Sequence, residues 1–381
     1  MHDVKPIGGT IFTKPFKILM ALGIIGVILI IWRYLFGIGS VSNLNDGYPW
    51  GLWIVYDVVT GTAIACGGYA MAMLVYIFNR GKYHSLVRSA LLASMFGYTL
   101  AGVSIYVDVG RWWQLHQIFM PQYANLNSVM VEVAVCVATY VFVMWIEFSP
   151  AFFEGRAGNE KILRFLNKIM FFFIALGVLL PTMHQSSLGS LMIVAGIKLS
   201  PLWQAGALLP LMFLITAITM GYAVVVFESS FSSLGLKRPL ETDLLSKVSA
   251  IIPKLIALFF VIRFGDLFWR GAFSDLSFDL KSIMFVIENL LYLYPMIILF
   301  SAAKRRIPRK LFISAVSMLL AGAVYRFDTF LIGFNPGGGY HYFPAFWEIM
   351  ITVGIISIEI MAYLVFVKKF PVLPEVKQAK V

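Results

Sequence analysis

Asp57, Glu132 and His184 stand inside apolar runs, with no cation at matching depth in those runs. An ionised side chain at mid-bilayer costs roughly 2.5–3.5 kcal/mol, so each is a functional candidate. Two carboxyls and an imidazole are groups that pass protons. A pocket of that make-up, open toward one membrane face, suits proton exchange with a small redox carrier. The imidazole is the sharpest signal. Residues 163–190 read LRFLNKIMFFFIALGVLLPTMHQSSLGS. The stretch opens with Arg164 and Lys168, runs apolar for about four turns, and closes on Pro181, His184 and Gln185-Ser186-Ser187. A helix long enough to span a bilayer would deliver a histidine, an amide and two hydroxyls to one face.

The same apolar runs hold Asp108, Lys254, Arg263, Asp266, Glu288, Arg326, Asp328, Glu348 and Glu359. Most lie toward one face; Lys254 and Glu359 do not. Arg263 and Asp266, three apart, can pair on one helix. Arg326 and Asp328, two apart, cannot, so each is expected to pair across helices. For this second-half group, Arg263, Asp266, Glu288, Arg326 and Asp328, structural ion pairing is the expectation. Glu147, Glu228, Lys254 and Glu359 are the inner or central groups that could begin a proton path. Glu147 and Glu228 also read as ordinary helix-end charges.

The elements that position these groups follow from composition. The chain has 381 residues, 60% hydrophobic and 13% charged. Soluble domains carry about 25% charge, so this is an all-α polytopic membrane protein. Ten apolar segments are long enough to span: 16–37, 51–78, 86–109, 127–149, 164–186, 204–228, 248–269, 282–303, 311–333 and 345–368. The net charge of +11 does not signal nucleic acid. Of 30 Lys and Arg, 22 fall on the side of the N-terminus, four on the other and four within helices. That asymmetry predicts both termini in the cytoplasm and ten spans. Cys66 and Cys136 form no CxxC pair and no metal or disulfide framework. The run 18–32 lacks a small-residue cleavage site and reads as a retained helix.

The expected organisation is a cytoplasmic tail (1–15), a first helix with its outer loop (16–50), and a first four-helix bundle (51–190). A second bundle (191–333), a Gly-rich outer loop with the last helix (334–368) and a second cytoplasmic tail (369–381) follow. A loose internal echo supports two halves. Asp108-Val109-Gly110-Arg111 resembles Arg263-Phe264-Gly265-Asp266, and SVMVE resembles SIMFVIE. Helices 2–5 and 6–9 would be parallel repeats flanked by helices 1 and 10. The outer loops YPWGLW, RWWQLHQIFMPQY and FNPGGGYHYFP are aromatic and Gly-rich. They suit an interfacial belt or a docking surface for an outer partner.

PWGLWIVYDVVTGTAIACGGYA (49–70), LVRSALLASMFGYTLAGVSIYVDVGRWW (86–113), LNKIMFFFIALGVLLPTMHQSSLGSLMI (166–193) and FNPGGGYHYFP (334–344) carry a resemblance over nearly the whole chain. They resemble the NrfD/polysulphide-reductase type of membrane subunit, on the branch that serves quinone-reactive nickel–iron hydrogenases. The resemblance implies a multi-pass subunit of the bacterial inner membrane, without an active-site metal of its own. It implies menaquinone or ubiquinone bound near the outer face. Electrons would come from a periplasmic ferredoxin-like iron–sulfur subunit, beyond which sit the hydrogenase small and large subunits. Iron–sulfur clusters and a nickel–iron centre would belong to those partners alone. Tyr98, Glu132 and His184 would be quinone-pocket or proton-path residues, and Glu228 would lie on a route to the cytoplasm. With Asp57, Asp108 and Gln185 they make up the expected quinone and proton site.

No haem is expected. A b haem usually needs two histidines facing each other in a bundle. His2, His84, His116, His184 and His341 offer no such pair at membrane depth. Two other readings remain open: a same-family subunit of a formate, nitrite or polysulphide system, and a proton-coupled secondary transporter. Against transport stand the clustering of polar groups at one face and the lack of matched Gly/Pro-broken helices, with Pro181 and Pro210 read near helix ends.

Overall fold

A computed structural model of the chain describes residues 6–154, 158–236 and 238–373. Lys5, Arg156, Lys237, Lys377 and Lys380 of the charge asymmetry, and the outer parts of both expected tails, lie outside the described residues. Among the described residues, ten helices are long and apolar enough to cross a membrane. They are α1 (Lys14–Phe36), α2 (Trp53–Ile77), α3 (Gly81–Asp108), α4 (Val129–Phe153), α5 (Glu160–Lys198), α6 (Gly206–Gly235), α7 (Thr242–Trp269), α8 (Leu280–Phe300), α9 (Pro308–Ile332) and α10 (Phe346–Lys369). All ten expected spans are present, within a few residues at most ends. In lipid each backbone N–H and C=O must be paired within its own segment, which leaves helices as the solution for these runs. The described residues contain no strand, only one bridge between Leu199 and Phe334.

Helix starts follow local chemistry. Pro15, Pro210, Pro253 and Pro308 stand in first turns, where a missing N–H costs nothing. Asp279 caps the start of α8 by accepting from the Ser282 N–H at 2.9 Å. Its carboxyl is held below the usual carboxylate range by that bond.

Packing runs in sequence from α2 to α3, α4 and α5, and again from α6 to α7, α8 and α9. The two series meet where α6 lies against α2 and α5, and where α9 lies against both α6 and α2. α1 lies along α10, which packs on α3. α2 and α6 form the interior pair: 78% and 72% of their most apolar windows are buried, against 17% in α1. Close crossings use glycine. A Cβ on Gly26 would fall 2.7 Å from the Gly354 Cα, and one on Gly221 would fall 2.5 Å from the Cys66 carbonyl oxygen. Small residues of this kind let membrane helices approach.

Two helices depart from regular form. α2 is wide-wound at Trp53–Thr60, breaks at Ala65 and Cys66, and is wide-wound again at Met73–Ile77. The freed carbonyls find side chains: Thr60 donates to Val55 O and Thr62 to Val58 O. α6, the other interior helix, is continuous from Leu209 to Gly235. α5 is longer than expected. Its α-helical body runs from Glu160 to Ala195, with Pro181 inside it. Its hydropathic window faces outward, with only 11% of that window buried. Its second part, including Pro181, His184, Gln185, Ser187 and Gly189, is buried by protein. Hydropathy ends the span at 186 because it registers lipid-facing residues. The helix continues because α6 and the loop before it cover the polar half.

A leucine at Gly26 or Gly354 would force α1 off α10. Overpacking usually costs about 1–3 kcal/mol, and here the clash is with backbone, so Gly26→Leu should reach about 3 kcal/mol. The thermal midpoint of the purified chain in mild detergent should fall accordingly. Gly102→Leu, which meets open space, should leave it near the wild-type value.

Candidate functional site

His184 sits about three turns before the end of α5, not at its membrane edge. It is fully buried, as are Gln185 beside it and Tyr98 on α3. The Tyr98 hydroxyl lies 3.3 Å from His184 Nε2, and the Gln185 amide nitrogen 3.0 Å from the same atom. The amide nitrogen also donates to Thr62 Oγ1 at 3.0 Å. Cys66 Sγ lies 3.6 Å from the Tyr98 hydroxyl, and Tyr140 of α4 packs edge-on against the Tyr98 ring. α2, α3, α4 and α5 therefore all contribute to one closed cluster. Arg326, from α9, closes it: Nη2 donates to Gln185 Oε1 at 3.4 Å and Nε to Val59 O at 3.1 Å.

Glu132 is half-buried, on the flank between α4 and α5. It accepts from Ser187 Oγ at 2.8 Å, one turn beyond His184. Glu132 is thus the open side of the cluster and His184 the closed one. His184 and Gln185 are expected at an outward-opening pocket; here both side chains are fully enclosed. Asp57 is not part of it. Its Oδ2 accepts from Ser104 of α3 and Thr352 of α10, each at 3.1 Å. The wide turns of α2 aim Asp57 at α3 and α10 while Thr62 points toward α5. Asp108 also stands apart, with Arg33 and Glu348 as its charged neighbours. Arg33 donates to the Val107 and Val109 carbonyls and so caps the end of α3.

The end of the molecule where the first helix begins and the last helix ends carries a second polar set. Glu228 of α6 accepts from the Tyr363 hydroxyl of α10 and borders a small cavity lined by Ser85, Ser89, Ser232, Arg238 and Glu241. Glu359 is one turn before Tyr363 on the same face of α10. A Cβ on Gly97 would sit 3.3 Å from its Oε1, and Asp57 is its charged neighbour. Glu147 lies against Gly177 of α5. Lys254 is exposed at the first turn of the main α7 helix and joins no buried set.

The second-half charges pair differently from the sequence expectation. Arg263 meets Glu288 of α8 in a fully buried ion pair, which the Trp203 indole joins at 2.9 Å from Glu288 Oε2. Rings of Phe285, Phe259 and Tyr325 surround the guanidinium. Asp266 pairs with Arg270, not with Arg263. Both helical spacings were possible, and burial at the α7–α8 contact decided for the interhelical one. Asp328 lies beside Glu288. Arg326 does reach across helices, but to neutral acceptors.

The outer aromatic loops divide into two kinds. Trp50 and Trp53 are buried, donating to Phe330 O and Glu348 O. Glu348 clamps the two loops: it accepts from Asn43 N, Ala345 N and the Tyr342 hydroxyl. Burial and that carboxyl push the Tyr342 phenol up from its ordinary range, so it stays a donor. Trp113, Phe119, Tyr123, Tyr340, Phe343 and Trp347 remain exposed.

Sequence reasoning missed Ser104, Thr352, Tyr363, Thr62 and Tyr140. The only available signal was the spacing of Glu348, Thr352, Glu359 and Tyr363 along one face of α10.

Among the described residues, no two histidines face each other at membrane depth. His184 Nε2 is engaged by Tyr98 and Gln185, while His84, His116 and His341 are exposed. These residues do not fit a bis-histidine haem.

Comparison with known proteins agrees with the helices and sequence runs described. The family model "Polysulphide reductase, NrfD" matches residues 40–334. The chain is 52% identical to the probable Ni/Fe-hydrogenase 2 b-type cytochrome subunit of Escherichia coli K12, over 99% of this chain and 97% of that one. It is 29% identical to the integral membrane subunit of a menaquinone reductase of Nitratidesulfovibrio vulgaris, over 41% of this chain and 37% of that one. It is 23% identical to a selenate reductase subunit of Mesobacillus selenatarsenatis, over 95% of both. The name of the first relative includes a cytochrome that the histidines here do not fit.

Removing one partner of the Arg263–Glu288 pair strands a buried charge. Arg263→Met should cost about 3–5 kcal/mol, and adding Glu288→Met should recover most of that. The double-mutant cycle, read from detergent unfolding midpoints, checks both statements. Equal loss in single and double variants would show that the cost does not come from a stranded Glu288 charge.

Proposed function

This chain belongs to the NrfD family of integral membrane subunits, and on that premise we propose that it is the quinone-reactive membrane anchor of a nickel–iron hydrogenase complex. The reading is that it passes electrons between an iron–sulfur partner and the menaquinone or ubiquinone pool. Family membership and the near-full-length likeness to a hydrogenase 2 subunit support the partner class. The observation that carries the site is the hydrogen-bonded unit of Tyr98, His184 and Gln185, with Glu132 on its open flank.

Reducing a quinone needs two electrons and two protons, and iron–sulfur clusters deliver electrons only. The chain must therefore supply protons to the quinone oxygens. In this reading the quinone headgroup enters between α4 and α5, from the lipid beside Glu132. Glu132 and Ser187 meet one carbonyl, and the imidazole of His184 with the Tyr98 phenol stands behind them as the proton relay. The exposed ring set of Trp113, Phe119, Tyr123, Tyr340, Phe343 and Trp347 is the docking face for the ferredoxin-like partner. The hydrogenase small and large subunits lie beyond it, in the periplasm. The charge asymmetry supports reading this face as the outside of a bacterial inner membrane, with both termini in the cytoplasm. The helix contacts are read as two four-helix bundles, α2–α5 and α6–α9, with α1 and α10 at the side.

Protons can reach the site from either face. The Glu228–Tyr363 contact, Glu359 and Asp57 offer an inner route along α10, with Glu147 a second inner carboxyl. If that route feeds the quinone, turnover is electrogenic. A transporter reading loses ground because α2 is broken and α6, its counterpart, is not.

The test is hydrogen-dependent reduction of a menaquinone analogue by membranes that hold the assembled complex. General acid–base groups contribute about 10²–10⁴-fold, so Glu132→Gln and His184→Ala should each lower the rate about a hundredfold or more. Hydrogen oxidation with an artificial acceptor should survive. Loss of neither activity would remove the site from this flank and leave the Arg263–Glu288–Asp328 cluster as the alternative.

A second measurement separates the proton routes. In sealed vesicles, Glu228→Gln should suppress proton uptake from the inner face during hydrogen-dependent quinone reduction, with wild-type uptake as the reference. Unchanged uptake would assign the protons to the outer face.

A further inference from the structure

Arg326 is a fully buried cation held entirely by neutral acceptors. Its guanidinium donates to Val59 O, Thr216 Oγ1, Met220 Sδ, Gly322 O, Gln185 Oε1 and Phe213 O. None is a carboxylate. This sets it apart from Arg263, which has Glu288. Stability alone does not account for it. Burying a charge is costly even where hydrogen bonds satisfy it, and an apolar side chain of similar volume is often neutral or better. The charge is therefore to be read by what it does to its neighbours, and the neighbour that matters is Gln185.

A guanidinium can only donate. The amide atom that faces it must be the oxygen, which fixes the orientation of the amide. The amide nitrogen then points the other way, where it has two partners. One is Thr62 Oγ1, whose own proton is spent on Val58 O at 2.6 Å, so Thr62 can only accept. The other is His184 Nε2 at 3.0 Å. The Tyr98 hydroxyl, 3.3 Å from Nε2, is the second group that approaches this nitrogen. Cys66 gives its thiol proton to Thr62 O, so Tyr98 keeps its own proton to offer. The Gln185 amide that faces Nε2 is thus a donor, and an N–H at Nε2 would meet it head-on, while the Tyr98 hydroxyl has a proton to give. The charged and titratable side chains around the cluster are Tyr98, Tyr140, Cys66, Glu132 by way of Ser187, and Arg326. Of these only the Tyr98 hydroxyl reaches Nε2, and none is a carboxylate in contact with it.

We propose that Arg326 is a positioning residue: acting through Gln185, it holds His184 as the Nδ1–H tautomer, with Nε2 kept as an acceptor toward Tyr98. The standing cation polarises the amide and strengthens its N–H donation. Chains of hydrogen bonds in a low-dielectric interior reinforce one another in this way. The consequence for turnover rests on the quinone reading above: His184 Nε2 is preset to receive a proton passed by Tyr98. The tautomer itself does not depend on that reading. The device also links the halves, because Arg326 belongs to α9 and the imidazole to α5.

The test reads the imidazole directly. The full chain, with nitrogen-15 histidine, is placed in lipid bilayers and examined by solid-state magnetic resonance. The His184 signals are assigned by their loss in His184→Asn. Wild type should show one neutral tautomer, with Nε2 bare. Arg326→Gln and Gln185→Leu should each divide the signal between tautomers or move the proton to Nε2. Arg326→Lys, which keeps a cation able to reach the amide oxygen, should preserve the wild-type pattern. Should Arg326→Gln fail to fold, Gln185→Leu alone decides, since it removes the relay and leaves the cation's other five contacts. A protonated Nε2 in the wild type, or an unchanged tautomer in folded Gln185→Leu, overturns the proposal. In the assembled complex, quinone-analogue reduction should fall about tenfold or more in either variant and no further in the double variant. A changed tautomer with unchanged quinone reduction would uphold the positioning role and refute the quinone site.

Discussion

Arg326 gathers four helices at one point. Its donors reach α2 at Val59, α5 at Gln185, and α6 at Phe213, Thr216 and Met220, while its own turn supplies Gly322. The guanidinium is fully buried and its donors are met by protein acceptors, so those helices must stay where they are for the charge to remain satisfied. Much else in the interior follows. The wide winding and break of α2, the glycine contact of Gly221 with the Cys66 carbonyl, and the continuous course of α6 bring the four elements within reach. A more regular α2 would orient Val59 and Thr62 differently and leave the cation, or the Gln185 amide, without acceptors.

The second half solves the same problem by another chemistry. Arg263 takes a carboxylate partner and a cage of rings, which neutralises it locally and binds α7 to α8. That arrangement is self-contained. Arg326 is not: its charge has no anion to end on, so its field extends into the Tyr98–His184–Gln185 cluster. The two buried arginines therefore do different things although both are fully enclosed. One fixes packing, and the other fixes packing and the polarity of a neighbouring amide.

How much of this was legible in the sequence depended on the length scale of each signal. The ten spans were legible because hydropathy over twenty residues is a property of the segment alone. Tyr98, Glu132, His184 and Gln185 were named as candidates, and the structure gathers Tyr98, His184 and Gln185, with Glu132 one turn along. Asp57 and Asp108 were grouped with them from depth alone, but depth says nothing about which way a side chain faces. In α2 the departure from 3.6 residues per turn turns Asp57 away from His184, and apolar periodicity does not announce a wide turn. The Arg263 pairing failed for a related reason. Two acids stood within reach, Asp266 on its own helix and Glu288 on the next, and only the α7–α8 contact chooses between them.

The course of α5 shows why His184 reads as a surface group and is not one. Its first half faces outward and satisfies every rule for a lipid-exposed helix, while its second half is polar and would be costly in lipid. A polar second half can remain helical at membrane depth only if protein covers it, and α6 together with Arg326 provides that cover. The covering also isolates the imidazole from the surface, so on the proposed reading proton exchange there passes by way of neighbouring protein groups. Tyr98 on one side and Ser187 with Glu132 on the other are the side chains placed to carry it. On the proposed reading, burial of the histidine and use of the histidine are one arrangement: enclosure limits the exchange partners of the imidazole to a chosen few.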